Sequence, residues 1–133
     1  MIRASVEFRV RYAETDQMGF VYYGNYAQYF EIGRVEALKK VGVSYRALEE
    51  SGIRLPVKEL HIEYIKAAKY DDLIRVTTTI QNMPTNRIVF DYIIERDRDI
   101  LVKGQTTLFF MNEQGKACRP HADFLNQLKP FFS

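Results

Sequence analysis

Cysteine and histidine are scarce in this chain of 133 residues, which holds one Cys and two His, and each scarcity removes a class of chemistry. Cys118 has no second thiol to pair with, so an internal disulfide and a cysteine-rich metal site are both excluded, and a reducing compartment, the cytoplasm, is expected. The same thiol follows a turn at Gly115 and has two readings, a nucleophile or a half-buried structural side chain; the second is preferred. His61 and His121 have no spaced partners, and zinc asks for more ligands than this pair supplies, so no metal site is expected. Charge of one sign is not concentrated anywhere: 19 basic and 17 acidic residues are scattered to a net +2. Without a like-charged run to track a phosphate backbone, nucleic acid is excluded as the main partner. Long apolar runs are missing too. Met1 to Val10 interleaves Arg3, Glu7 and Arg9 with apolar residues, which is neither a signal peptide nor a membrane span. Also absent are the Gly-x-Ser-x-Gly elbow, the Walker loop and the Gly-x-Gly-x-x-Gly fingerprint. Among the usual catalytic groups, carboxylates remain.

What is present is an apolar fraction of 47%, enough for one core in a chain of a size that buries roughly two-thirds of its unfolded surface. With no repeat, linker or low-complexity tract, residues 1–133 read as a single domain. Ala4, Val6, Phe8, Val10 and Tyr12 alternate with polar residues, a period of two that predicts a half-buried strand over Ala4–Tyr12. From Tyr26 to Val41, Tyr26, Tyr29, Phe30, Gly33, Ala37, Leu38 and Val41 recur three or four apart, predicting a long helix capped by Asn25 and ended by Gly42. Gly33 costs that helix about 1 kcal/mol against alanine, and a sheet packed close at that point would explain it. Ser44 to Ser51 reads as a short second helix stopped by Gly52. Strands are then predicted over Arg54–Lys66, Asp72–Asn82, Asn86–Glu95 and Ile100–Met111, with Met83-Pro84-Thr85 and Asp97-Arg98-Asp99 as hairpin turns. Ala122 to Leu128 is weakly helical. The fold class is therefore α+β, a five-stranded antiparallel sheet with one principal helix. The helix covers one face only, and the last strand carries Leu108 and Phe110 on one side against Leu101, Phe109 and Met111 on the other. Apolar residues on both sides predict that subunits pack together as a dimer or tetramer.

The densest segment runs from Tyr12 to Tyr26. It sets the acids Glu14 and Asp16, a glycine at Gly19 and several aromatics directly before a helix N-terminus. Free N–H groups there form an anion site. They would stabilise the oxyanion that develops on a thioester carbonyl, while a nearby carboxylate drives water or attacks directly. The bland alternative is that Asp16 or Glu14 merely closes a turn.

The run Tyr12 to Arg34, YAETDQMGFVYYGNYAQYFEIGR, closely resembles the signature of the 4-hydroxybenzoyl-CoA thioesterase family. These are hot-dog-fold acyl-CoA thioesterases, among them the Tol-Pal-associated branch. The resemblance continues through His61-Ile62-Glu63-Tyr64 and Ala68-Lys69-Tyr70-Asp71-Asp72. It implies a sheet wrapped around one long helix, hydrolysis of acyl-CoA to free acid and CoA, no cofactor beyond the CoA of the substrate, and homo-oligomers with sites at subunit interfaces. By position it makes Asp16 the nucleophile or general base and the Tyr23 backbone N–H the oxyanion donor, with Gly19 letting the loop approach the substrate. Some members have histidine where this chain has Tyr23, a change that a backbone donor survives. Asn25 reads chiefly as a cap and secondarily as a substrate contact; Glu31 and Arg34 read as helix-surface or interface pairing. An acyl slot would be lined by Phe20, Tyr22 or Tyr26. Lys66, Lys69, Arg87 and Arg96 are the candidates for the CoA phosphates, each equally readable as a solvated strand end. Competing functions are an acyl-carrier-protein thioesterase, a dehydratase, whose histidine the Asp16 loop lacks, and a silent acyl-CoA-binding or scaffold protein.

Overall fold

The computed structural model of the chain describes residues 1–132. Strand β1 (Ile2–Arg9) pairs antiparallel with β3 (Leu73–Ile80), β3 with β4 (Arg87–Arg96), and β4 with β5 (Asp99–Phe109), while β2 (Val57–Tyr64) crosses to the far edge and pairs with β5. The result is one five-stranded antiparallel sheet in the order β1-β3-β4-β5-β2. Across one face lies helix α1 (Tyr26–Lys40); α2 (Tyr45–Glu50) and α3 (Ala122–Leu128) are short. A long helix on an antiparallel sheet is the arrangement that the resemblance implies. Both predicted hairpins are present, since β3-β4 and β4-β5 are joined by the Pro84 and Asp97-Arg98 turns.

The core forms where strand rows with a period of two meet the helix stripe. Ile74, Val76 and Ile80 of β3, Ile88, Phe90, Tyr92 and Ile94 of β4, and Val102 and Leu108 of β5 are buried together with Tyr29, Phe30, Ala37 and Leu38 of α1. Phe30 stacks on Tyr92 with centroids 4.2 Å apart and rings nearly parallel at 9°. Two glycines permit this closeness. A Cβ on Gly33 would lie 2.4 Å from Thr78 Oγ1 and 2.8 Å from Val76 Cγ1, and one on Gly104 would lie 2.3 Å from the Phe30 ring. The sheet does pack against α1 at Gly33, which accounts for a glycine in mid-helix.

Several boundaries and faces depart from the sequence reading. Strand β1 stops at Arg9 because Tyr12–Glu14 coils into a single 3-10 turn. Tyr12 is exposed and meets Tyr70 edge to face, so it leaves the apolar row. The far face of the sheet is polar rather than apolar. Glu7 pairs with Arg75 and Asp91 with Gln105, leaving Leu73, Val89 and Ile93 as exposed large apolar residues there. Alternation puts Leu101 on that face, but the register slips between Ile94 and Glu95 and the bulge delivers Leu101 to the core. Exposed apolar side chains instead collect along β2 and just beyond it, at Val57, Leu60, Tyr64 and Ile65. Arg34 is likewise inside rather than on the helix surface beside Glu31. It is buried, and its Nε donates to the Tyr45 hydroxyl at 3.2 Å.

Candidate active site

Between β1 and α1 the chain folds into a tight loop centred on Asp16. Thr15 bridges Val21, the Asp16 N–H donates to the Phe20 carbonyl at 2.7 Å and the Gly19 N–H donates to the Asp16 carbonyl at 3.0 Å. Gly19 sits at φ +81, in the left-handed region that the turn needs and that glycine enters without strain. The carboxylate closes the loop with one oxygen: Asp16 Oδ1 accepts the N–H of Met18 at 2.9 Å and of Phe20 at 3.2 Å. Among the described residues none donates to Oδ2. Asp16 is thus a turn residue and a half-free carboxylate at once.

The backbone donors that follow are nearly all committed. Val21 N–H donates to the Ala68 carbonyl and Tyr22 N–H to the Glu14 carbonyl, both at 2.9 Å, and Asn25 N–H donates to the Tyr22 carbonyl at 2.8 Å. The helical path begins earlier than predicted, as a 3-10 turn over Tyr23–Asn25 that runs straight into α1. The first amides of a helix have no intrahelical acceptor, and those of Tyr23 and Gly24 meet none elsewhere among the described residues. Both residues are exposed. Asn25 therefore lies inside the first turn, in helical conformation, and makes no capping bond. Its Nδ2 donates to the Glu14 carbonyl at 2.9 Å, which ties the helix start to the loop.

Glu14 is the buried hub of this segment. Its Oε1 accepts from the Arg11 N–H at 2.8 Å and the Tyr29 hydroxyl at 3.1 Å, and Oε2 faces the Arg11 guanidinium at 3.2 Å. Burial, with Glu14 alongside, pushes the Tyr29 phenol well above its ordinary range. Sequence reasoning reads Glu14 only as a residue of the segment before Asp16 that could close a turn. The detectable signal was Tyr29, fifteen residues on and on the buried stripe, a position where a phenol needs a partner.

Asp16, Phe20, Val21, Tyr23, Tyr26 and Tyr64 line one open pocket of about 290 Å³, together with Ile65, Lys66 and Ala67. Its wall is aromatic. Tyr64 donates to the Tyr23 carbonyl at 3.1 Å and sets its ring edge-on to Tyr26 at 5.5 Å. The Tyr26 hydroxyl accepts the Ala68 N–H at 3.1 Å. The turn that supplies Ala68 is held by Arg96, whose Nη1 donates to Asp72 at 2.7 Å and to the Ala67 carbonyl at 3.3 Å. Arg96 is therefore occupied in pinning this turn. Lys69 stands 5.7 Å over the Phe20 ring, and Lys66 pairs with Asp99 at 3.4 Å. Tyr22 lies tilted against Tyr23, ring centroids 4.7 Å apart, outside the pocket lining. Arg87, at the opposite end of the ten-residue β4 from Arg96, lies in a separate hollow with Asp91 and Gln105 and does not join the site within this chain. His61 and His121 are exposed and apart from it, Cys118 packs against the core, and no cluster of potential metal ligands occurs among the described residues. Among the described residues, no helix is long and apolar enough to cross a membrane.

Chemically, this is a carboxylate with one uncommitted oxygen, two unpaired amides at the positive end of a helix, and an aromatic slot that Asp16 and Tyr23 both line. Comparison with known proteins agrees with that inventory. Residues 10–128 match the thioesterase-like superfamily. The putative acyl-CoA thioesterase YneP of Bacillus subtilis is 40% identical over 88 residues, 66% of this chain and 64% of its own length. The acyl-CoA thioesterase YbgC of Haemophilus influenzae is 36% identical over 100 residues, 74% of each chain. Among solved structures, a DHNA-CoA thioesterase from Staphylococcus aureus superposes with TM-score 0.93 at 33% identity, covering 98% of this chain and 91% of that one. The chain belongs to the thioesterase-like superfamily, as a hot-dog-fold thioesterase.

Proposed function

We propose that the Asp16 pocket is where this thioesterase hydrolyses acyl-CoA to the free acid and CoA. One observation carries the reading: Asp16 and Tyr23, whose N–H opens the helix without an acceptor, line the same pocket. The thioester carbonyl oxygen sits against the Tyr23 and Gly24 amides, which stabilise the negative charge as the carbonyl carbon becomes tetrahedral. Asp16, through Oδ2, either takes the proton of the attacking water or attacks the carbon itself to form an anhydride that water then opens. Collapse of the tetrahedral species expels the CoA thiolate, which is protonated as it leaves. No cofactor beyond the substrate's own CoA is needed. Phe20, Tyr26 and Tyr64 line the acyl slot, and Lys66, in the pocket lining, and Lys69, over the Phe20 ring, meet the CoA phosphates. The exposed apolar row on edge strand β2 supports a homo-oligomer, a dimer or tetramer, in which a second copy covers that edge. The lone free thiol supports a cytoplasmic location.

Asp16→Asn is expected to leave the fold intact and lower turnover by about a hundred- to ten-thousandfold, the usual reach of one acid-base group. Unchanged turnover on acyl-CoA would remove Asp16 from the mechanism. Single turnover in heavy-oxygen water tests for the covalent route, because label in the Asp16 carboxylate requires an anhydride that water opens at the Asp16 carbonyl.

A further inference from the structure

We infer that the Tyr26 hydroxyl is a positioning group for Asp16: fixed by the Ala68 amide, it gives its one proton to the Asp16 carboxylate through a single water, aiming the free carboxylate oxygen at the substrate space. This rests on the Asp16 reading above. Tyr26 is 2% exposed, yet its side chain shares the pocket with Asp16. Its oxygen accepts the Ala68 N–H, and that contact uses a lone pair and leaves the phenolic proton unspent. A buried donor without an acceptor is costly, so the proton needs a destination.

The groups around this phenol narrow the choice. Tyr29, from the same helix, donates to Glu14; Tyr64 of β2 donates to the Tyr23 carbonyl; and no hydrogen bond joins Tyr26 to either ring. Arg96 of β4 and Lys66 at the pocket rim carry no lone pair to offer. Asp16 is the one anion among the groups acting on this phenol, and it adds to the larger effect of burial in pushing the phenol up. No direct hydrogen bond links the two side chains, and a pocket of about 290 Å³ has ample room for a bridging water. A donor to the ionised carboxylate favours the charged form and keeps it in one orientation.

The test is the pH profile of kcat/KM for acyl-CoA hydrolysis. Tyr26→Phe should lower kcat by about ten- to a hundredfold, the cost of a misaligned catalytic group, with little change in KM and with the acidic limb moved to higher pH. A role confined to accepting the Ala68 N–H would lower the melting temperature and leave that limb in place, which would overturn the proposal. Because Tyr26→Phe also strips Ala68 of its acceptor, a ring-fluorinated tyrosine at position 26 serves as the second variant. It keeps the hydroxyl, donates more strongly, and should move the acidic limb to lower pH; an unmoved limb there is equally decisive against the idea. Asp16→Asn is assayed in parallel. If it keeps turnover, the Asp16 reading falls and takes this one with it; if it loses turnover while both Tyr26 variants keep the wild-type limb, only the present inference fails.

Discussion

Two carboxylates separated by one residue have opposite surroundings here. Glu14 is buried, with both oxygens engaged by Arg11 and Tyr29 and its carbonyl holding Tyr22 and Asn25. Asp16 keeps one oxygen free in the pocket. Glu14→Gln should therefore cost stability, about 1–3 kcal/mol for the disturbed buried network, and reduce turnover only through a loosened loop. Urea denaturation beside steady-state kinetics checks this; a stability unchanged from wild type would show that Glu14 is no anchor. Asp16 stands out as a candidate from its place before a helix and from the family signature, whereas the buried network around Glu14 was not legible. Its partners Arg11 and Tyr29 lie on opposite sides of it in the chain and meet only when the loop folds back on α1.

At the level of elements, β-strand alternation and helical spacing located every strand and α1 to within a few residues. What escaped them were places where the chain departs from a regular period. The 3-10 turn at Tyr23–Asn25 moved the helix start forward and turned Asn25 from cap to tie. The bulge at Ile94/Glu95 sent Leu101 into the core. Gly33 was read correctly from its cost to the helix, and the close approach of Thr78 and Val76 supplies the cause. Gly33→Ala should destabilise the protein by about 1–3 kcal/mol, as overpacking outweighs the better helix propensity of alanine. Thermal melting measures it, and a stabilised variant would mean that α1 can lift from the sheet at no cost.

For the whole molecule, two consequences follow from what is buried and what is not. Burial pushes the Tyr92 phenol from an ordinary value near 10 up to about 12. A group whose folded pKa is raised contributes stability that is complete below the unfolded value and lost as pH rises through the folded one. The melting temperature should therefore decline between about pH 10 and 12, and Tyr92→Phe should flatten part of that decline; an identical decline in the variant would place the alkaline weakness elsewhere. The second consequence concerns the edge strand. Leu60→Lys, on the exposed row of β2, should shift the protein toward monomer by light scattering and depress activity with it. A wild-type mass that is already monomeric would dispose of the oligomer.

Local chemistry along the chain was enough to specify the fold class, the long helix, the hairpins and the candidate carboxylate, because periodicity, turn residues and a contiguous signature are properties of neighbours in sequence. The strand order, the polar far face, the buried Arg34 and the wall that Tyr64, Ala68 and Arg96 build around Asp16 came into being only on folding. They depend on contacts between different elements, about forty residues apart for Tyr64 with Tyr23 and Ala68 with Tyr26 and nearer for Arg34 with Tyr45 and Arg96 with Asp72, and no local pattern encodes which elements will meet.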